Sequence, residues 1–257
     1  LKVLIIFNNP KKIQNFQRKL IRKKLQNIKY IIGYENKTGI SYARNRALKK
    51  LKSLDYDYGC FLDDDCIIKK NFISNHLNFI KKNNCNIVGG PQLYKSKKIF
   101  FRVFERKFDN KKTVGWVSTN NVFFKKNALS HNLFFSKNVS KFGFGEDQLF
   151  FSKLSSFKET ISWNNNPVFE IVQKKREDVK WFMERNYKYG LTGILIDIEL
   201  HGFISAFFLN IIKALLNLTR SFLYLLLTPF KPIVNFYYSF AYFLRFAGRA
   251  VNIFGLK

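Results

Sequence analysis

Apolar residues follow two periods along this chain. Val3 to Phe7 is a short unbroken apolar run, the pattern of a strand buried on both faces. Asn8, Asn9 and Pro10 end it. From Lys11 to Asn27, Ile13, Phe16, Leu20, Ile21 and Leu25 recur among lysines at the spacing of one helix face. Ile28 to Tyr34 predicts a second strand. Gly39 opens a turn, and Ser41 predicts the cap of a helix through Ala43, Ala47 and Leu51. Gly59 to Leu62 predicts a third strand that stops at Asp63, Asp64 and Asp65. This alternation predicts an α/β fold, Rossmann-like, with a mostly parallel sheet flanked by helices. In such sheets ligands bind at the carboxyl ends of strands, where the acidic triplet falls.

Beyond it, Phe72 to Lys82 reads as a helix and Asn86 to Val88 as a strand closed by Gly89, Gly90 and Pro91. Residues 93–115 are basic and aromatic, without a clear period. Val117 to Phe124 is strand-like around Asn120 and Asn121. Gly143 and Gly145 predict a flexible loop leading into Glu146 and Asp147, with a helix from Gln148 to Leu154. Ile161 to Trp163 and Val168 to Val172 read as extended, and Asp178 to Tyr189 as helical.

After Glu199 the chain has no acidic residue, and Phe203 to Phe230 is apolar with few interruptions. Asn210, Lys213, Asn217 and Arg220 recur at helical steps and share one face; Arg245, Arg249 and Asn252 do the same later. The uncharged runs fall short of the ~18–20 residues a spanning helix needs. An in-plane interfacial helix is therefore expected, the alternative being a packed helical pair with a polar outer side. The division follows: residues 1–200 as a catalytic domain and 201–257 as a membrane-associating helical tail.

Charge sharpens this picture. Lys and Arg outnumber Asp and Glu 45 to 17 in 257 residues, a formal net charge of +28. Lys, Asn, Ile, Phe and Tyr rise together, as an A+T-rich genome dictates, and that bias accounts for part of the excess. The remainder favours anionic partners: nucleotides, pyrophosphate lipids, an anionic membrane surface or nucleic acid. Cys60, Cys66 and Cys85 lack metal-ligand spacing and read as reduced thiols of a cytoplasmic protein. Leu1 stands directly inside a strand pattern, so residues upstream of it are expected.

A chain with so few acids still places three in a row after a strand. Carboxylates that close repel one another, and a divalent cation resolves the repulsion. Oxygen ligands suit Mg²⁺ or Mn²⁺, which bind substrate phosphates through one or two carboxylates. On an extended chain, Asp63 and Asp65 lie on the same side, with Asp64 facing away or toward a ribose. Glu146 and Asp147 offer a loop carboxylate for general-base work, or simply acids favoured at a helix start. His76, His131 and His201 read as structural or exposed, and Trp116 as a residue able to stack on a sugar.

Four motifs in order carry a resemblance: Gly39-Ile-Ser-Tyr-Ala-Arg-Asn45, Phe61-Leu-Asp-Asp-Asp65, Thr119-Asn-Asn-Val-Phe-Phe-Lys-Lys126 and Phe142-Gly-Phe-Gly-Glu-Asp-Gln148. Together they resemble the family 2 glycosyltransferases of GT-A fold, from Leu1 to about Gly190. The resemblance implies an inverting transfer from a nucleotide diphosphate sugar to a glycan or lipid-linked acceptor, in cell-surface polysaccharide or glycolipid synthesis at the cytoplasmic face of the membrane. It implies Asp63 and Asp65 as metal ligands, with Asp63, Asp64, Arg44, Asn45 and Asn121 at the nucleotide sugar. Asp147 matches the catalytic base and Glu146 the neighbour that places the acceptor. The first strand here matches the family's second, where an Asp meets the base; Phe7, Asn8 and Asn9 stand in its place. Beside Glu170, where relatives often carry a metal-touching His, the chain has Ile171.

Two rivals are weaker. An aspartyl-phosphate phosphatase also has Asp-x-Asp after a strand but wants Thr or Val where Ile67 stands. A basic membrane-surface or RNA-binding protein without catalysis fits the charge, with residues 94–112 the nearest to an RNA-binding face, but leaves both acidic motifs without a purpose. Nucleic acid is therefore not an expected partner.

Overall fold

The computed structural model of the chain describes residues 1–8 and 14–255. Asn9, Pro10 and Ile13 of the expected first break and helix lie outside the described residues, as does the side chain of Phe16. The elements follow as β1 (Lys2–Phe7), α1 (Gln14–Lys24), β2 (Lys29–Tyr34), α2 (Ile40–Lys52), β3 (Tyr58–Phe61), β4 (Cys66–Ile67) and α3 (Phe72–Lys82). Then come β5 (Ile87–Gly89), β6 (Gln92–Lys95), β7 (Val122–Lys125), α4 (Glu146–Ser156), β8 (Ile161–Trp163) and β9 (Val168–Ile171). Three long helices close the chain: α5 (Val179–His201), α6 (Phe203–Leu226) and α7 (Pro232–Gly255).

The sheet is mixed. β1 and β2 pair in parallel; a second sheet runs β3-β7-β5-β8 and a third β4-β9-β6. β5–β8 and β6–β9 are parallel, whereas β7 is antiparallel to both β3 and β5, and β4 to β9. Parallel neighbours need a crossover, usually a helix. The long connection from β6 to β7 holds only short 3₁₀ turns, so β7 enters between β3 and β5 the other way. Val122, Phe123 and Phe124 are buried there, against Trp163, Phe135 and Phe150 in the main core and Val88 and Ile80 beyond.

Two local expectations change. Ser41 is not the cap of α2; Gly39 is, and Ser41 lies buried in the first turn, donating to the Ser136 carbonyl (2.9 Å). Asn8 fixes that turn, accepting from the Gly39 N–H at 3.0 Å and donating to the Lys37 carbonyl at 2.9 Å. Thr119 to Asn121 form a 3₁₀ turn rather than strand, so β7 starts only at Val122.

The C-terminal helices pack against one another, but with their polarity reversed from a soluble bundle. Asn210 is fully buried, while Phe208 and Ile212 on the same helix are 61% and 54% exposed. Half-exposed Lys213 donates to buried Asp197 (2.6 Å); further in, Arg249 reaches both Asp197 (3.4 Å) and Asn210 (2.8 Å), and Ser221 bonds the Ser239 carbonyl (2.9 Å). Gly190 and Gly248 bring α5 and α7 together so closely that a Cβ on either would strike the other helix's backbone. The polar outer side of the alternative, a packed helical pair, is not found at Asn210 and Arg249, which turn inward, although Arg220 stays exposed. Among the described residues one helix, α6, is long and apolar enough to cross a membrane by length and composition.

Candidate functional site

The acidic triplet is not on an extended chain. The Cys66 N–H donates to the Asp63 carbonyl (3.2 Å), closing a turn through Asp64 and Asp65, and the Ile171 N–H holds the Asp65 carbonyl (2.8 Å). Asp63 and Asp65 thus leave a tight turn pinned to β9, and Asp64 is exposed.

Arg44, on the first turns of α2, binds this turn to a distant segment. Its Nη2 reaches Asp63 Oδ1 at 3.3 Å and its Nη1 pairs with Glu146 Oε1. Glu146 and Asp147 form the first turn of α4, not the loop before it, where free N–H groups favour negative charge. Gly145 caps that helix at φ 94°, and a Cβ there would come within 2.6 Å of Thr192 Cγ2 on α5. The loop therefore needs glycine for both its conformation and its packing. Asp147 is held at both oxygens: Ser118 Oγ donates to Oδ2 (2.9 Å) and the Gln148 N–H to Oδ1 (2.7 Å).

These carboxylates feel one another. Burial, Asp65 and Asp147 raise the Asp63 carboxyl above its ordinary range against the pull of Arg44. Burial and Asp147 likewise raise Glu146, again opposed by Arg44. Glu146 Oε2 is buried and, among the described residues, has no hydrogen-bond partner. A corner so loaded with negative charge accepts cations and hydroxyl donors.

No three His, Cys, Asp or Glu side chains are gathered as a ready metal cage among the described residues. Asp63 and Asp65 supply the one or two carboxylates that suffice when water and substrate phosphate complete the shell. Asp65 also meets Arg176 at 3.7 Å, a long, part-exposed pair of the weak kind that a cation can displace. The residues present therefore fit a divalent cation.

Two expected site residues are otherwise engaged. Asn121 is fully buried; its amide donates to the Pro91 (3.0 Å) and Asn166 (2.9 Å) carbonyls and its oxygen meets His76 Nε2 (3.0 Å). Asn45 spends its side chain on the backbone of Phe135, donating to the carbonyl (2.9 Å) and accepting from the N–H (2.7 Å). Both side chains pin the scaffold through these bonds. His76 is buried with Asn121, and burial pulls its pKa down to about 4.

Several neighbours escaped sequence reasoning. Ser118 orients Asp147 and stands just before the Thr119 motif, the one signal that could have found it. Arg106 lies over the Trp116 ring, 3.7 Å from its centroid, on the face a sugar would have stacked against. Burial lowers Arg106 to about 10, with Asp147 and Tyr189 opposing. Glu170 pairs with Arg176 (2.7 Å) and with Gln92.

Comparisons with known proteins identify the family and the fold. The family model described as Glycosyl transferase family 2 matches residues 2–142, more than half the chain. Among solved structures, the mannosyltransferase PcManGT from Pyrobaculum calidifontis, in complex with GDP-Man and Mn²⁺, superimposes with a TM-score of 0.61 at 13% identity. The match covers 100% of this chain and 78% of that one. S. aureus TarS 1-349 in complex with UDP-GlcNAc gives 0.51 at 14% identity, covering 77% and 57% of the two chains. The chain spans 33% of the longer TarS chain and 56% of a 1-349 form. No curated protein matches by sequence. At such identities the structural likeness shows the fold alone, but the family match covers β1 to β7, the acidic turn and the Arg44 helix: the chain has a GT-A fold and belongs to glycosyl transferase family 2.

Proposed function

We propose that this protein transfers a sugar from a nucleotide diphosphate sugar to an acceptor hydroxyl, with inversion, at a membrane surface. The observation that carries the reading is the Asp63–Arg44–Glu146 chain, which joins the acidic turn after β3 to the start of α4 beside Asp147.

Asp63 and Asp65 would hold Mg²⁺ or Mn²⁺ against the donor's diphosphate, with Asp64 toward the nucleotide. Bound there, the cation supplies Lewis-acid stabilisation of the departing charge. Asp147, oriented by Ser118, takes the proton from the acceptor hydroxyl. The acceptor oxygen then forms its bond to the anomeric carbon from the face opposite the diphosphate. The bond from that carbon to the diphosphate oxygen breaks, and the diphosphate leaves with the electron pair. Glu146, through Oε2, accepts a hydrogen bond from the sugar acceptor, and Arg44 holds it in place.

Residues 1–200 form the catalytic part in this reading, and 201–257 the membrane-associating part. The apolar exteriors of α6 and α7 lie in the interfacial zone of a bilayer, and the surrounding Lys and Arg meet anionic headgroups, each worth ~1 kcal/mol near such a surface. The burial of Asn210 beneath exposed Phe208 supports this, because water would favour the opposite arrangement. A cytoplasmic-face location and a glycan or lipid-linked acceptor in cell-surface polysaccharide or glycolipid synthesis follow from the same reading.

The test is product mass. The full chain, Mn²⁺ or Mg²⁺ and a panel including GDP-mannose and UDP-N-acetylglucosamine are incubated with lipid-linked acceptors. Addition of one hexose or N-acetylhexosamine, absent in D63N, supports the reading; donor left intact with every acceptor contradicts it.

A further inference from the structure

Two arginines stand on the acceptor side of Asp147 without a carboxylate partner. Arg106 stacks on Trp116 and donates through Nη2 to the Trp116 carbonyl (3.2 Å), but its Nη1 is buried with no partner. Arg185, on α5, is walled by the rings of Phe104, Phe144, Trp181 and Tyr189, all 5.1–5.5 Å away, and its buried Nε also has no partner. Among the described residues neither forms an ion pair, whereas Arg44, in the acidic corner, forms two. A desolvated guanidinium with an unpaired N–H is costly unless a ligand completes it.

Their place says which ligand. Arg185 lies against Phe144, two residues before Glu146, and Arg106 is close enough to Asp147 to feel its charge, so both cations border the α4 turn that carries Asp147. Tyr189, beside Arg185, also meets Arg245 of α7 at 5.3 Å. Tyr189 thus links Arg185 on α5 to α7, one of the helices with apolar exteriors. Planar guanidinium groups on aromatic faces bind phosphate oxygens in pairs.

We propose that Arg106 and Arg185 form a phosphate-binding subsite for the acceptor, which is therefore an anionic phosphate ester or diphosphate. The proposal rests on the reading of Asp147 as the base but is measured without the donor. Trp116 and Trp181 touch the two arginines, so tryptophan fluorescence reports occupancy. The full chain in neutral detergent is titrated with decyl phosphate, methyl phosphate and uncharged decyl glucoside.

Decyl phosphate is expected to bind at least about tenfold tighter than decyl glucoside, and R106Q and R185Q each to weaken it about tenfold, leaving the glucoside unchanged. R106K and R185K, which keep the charge, should fall between; they carry the test if a glutamine variant does not fold. Methyl phosphate bound as well as decyl phosphate supports a soluble phosphorylated acceptor, and tighter decyl phosphate supports a lipid one. Equal binding of decyl phosphate and glucoside, or folded glutamine variants that bind decyl phosphate like the parent, overturns the proposal. So does displacement of decyl phosphate by a nucleoside diphosphate, which would give the arginines to the donor. Calorimetry of nucleotide binding on the same sample reports separately on the donor reading.

Discussion

The acidic corner and the C-terminal helices bury their polar groups for opposite reasons. Around Arg44, charge is drawn together, and Glu146 Oε2 is left unmatched among the described residues. Around Asn210 and Asp197, polar groups are matched to one another and hidden, while apolar side chains face outward. The first arrangement leaves charge only partly compensated beside the turn that holds Asp63 and Asp65. The second keeps the helices together where the surroundings, rather than the core, receive the apolar surface.

The sharpest break between the regions is catalytic. D147N should lower kcat on the order of 100- to 10,000-fold, the usual contribution of a general base, with donor affinity unchanged by calorimetry. A variant that keeps activity would move the base elsewhere. Next in size, R44A leaves Glu146 and Asp63 without their counter-charge. Removing one partner of a buried pair costs about 3–5 kcal/mol, read as a lower urea midpoint. A change under ~1 kcal/mol would mean the corner is wetter than its burial implies.

The scaffold behind the corner has its own pH signature. His76 is buried neutral, its pKa down at about 4 from an unfolded value near 6.5. The unfolded chain therefore binds the proton more tightly. The stabilisation is complete above pH ~6.5 and is lost as pH falls toward ~4, costing about 2 kcal/mol between pH 7 and 5. Urea unfolding at those two pH values should show that loss in the parent and not in H76N. An equal loss in both would place the acid sensitivity in other groups.

The smallest effects separate the helices from an ordinary bundle. In detergent, N210L should destabilise by about 1–3 kcal/mol, since Arg249 loses one of its two side-chain partners and its carbonyl loses the Asn210 donor. F208S, on the apolar exterior, should change stability by less than ~0.5 kcal/mol yet weaken binding to anionic liposomes. A soluble bundle would show the reverse order for stability, and unchanged sedimentation of F208S with liposomes would count against lipid contact.

Strands and helices with strong periods were legible in the sequence. Phe72–Lys82 and Ile161–Trp163 stand where the pattern puts them. Pairing direction was not, because β7 lacks any local sign of which way it runs between β3 and β5. Nor was the inward turn of Asn210 and Arg249: helical spacing shows that residues share a face, not what that face meets. At the site, motif order brought out Arg44, Asp63, Asp65, Glu146 and Asp147, which the fold gathers. Asn45 and Asn121 sit in the same motifs but serve the backbone, and no spacing distinguishes the two uses. Arg106 and Arg185 lie in no motif and come near Tyr189 only through the fold.

Calorimetric titration of the full chain with GDP-mannose and UDP-N-acetylglucosamine, with and without Mn²⁺, tests the acidic corner most directly. The account predicts that at least one donor binds, that Mn²⁺ tightens it about tenfold or more, and that D65N removes the metal's effect while leaving the fold intact. Donor affinity identical with and without Mn²⁺, and identical in D65N, would contradict it.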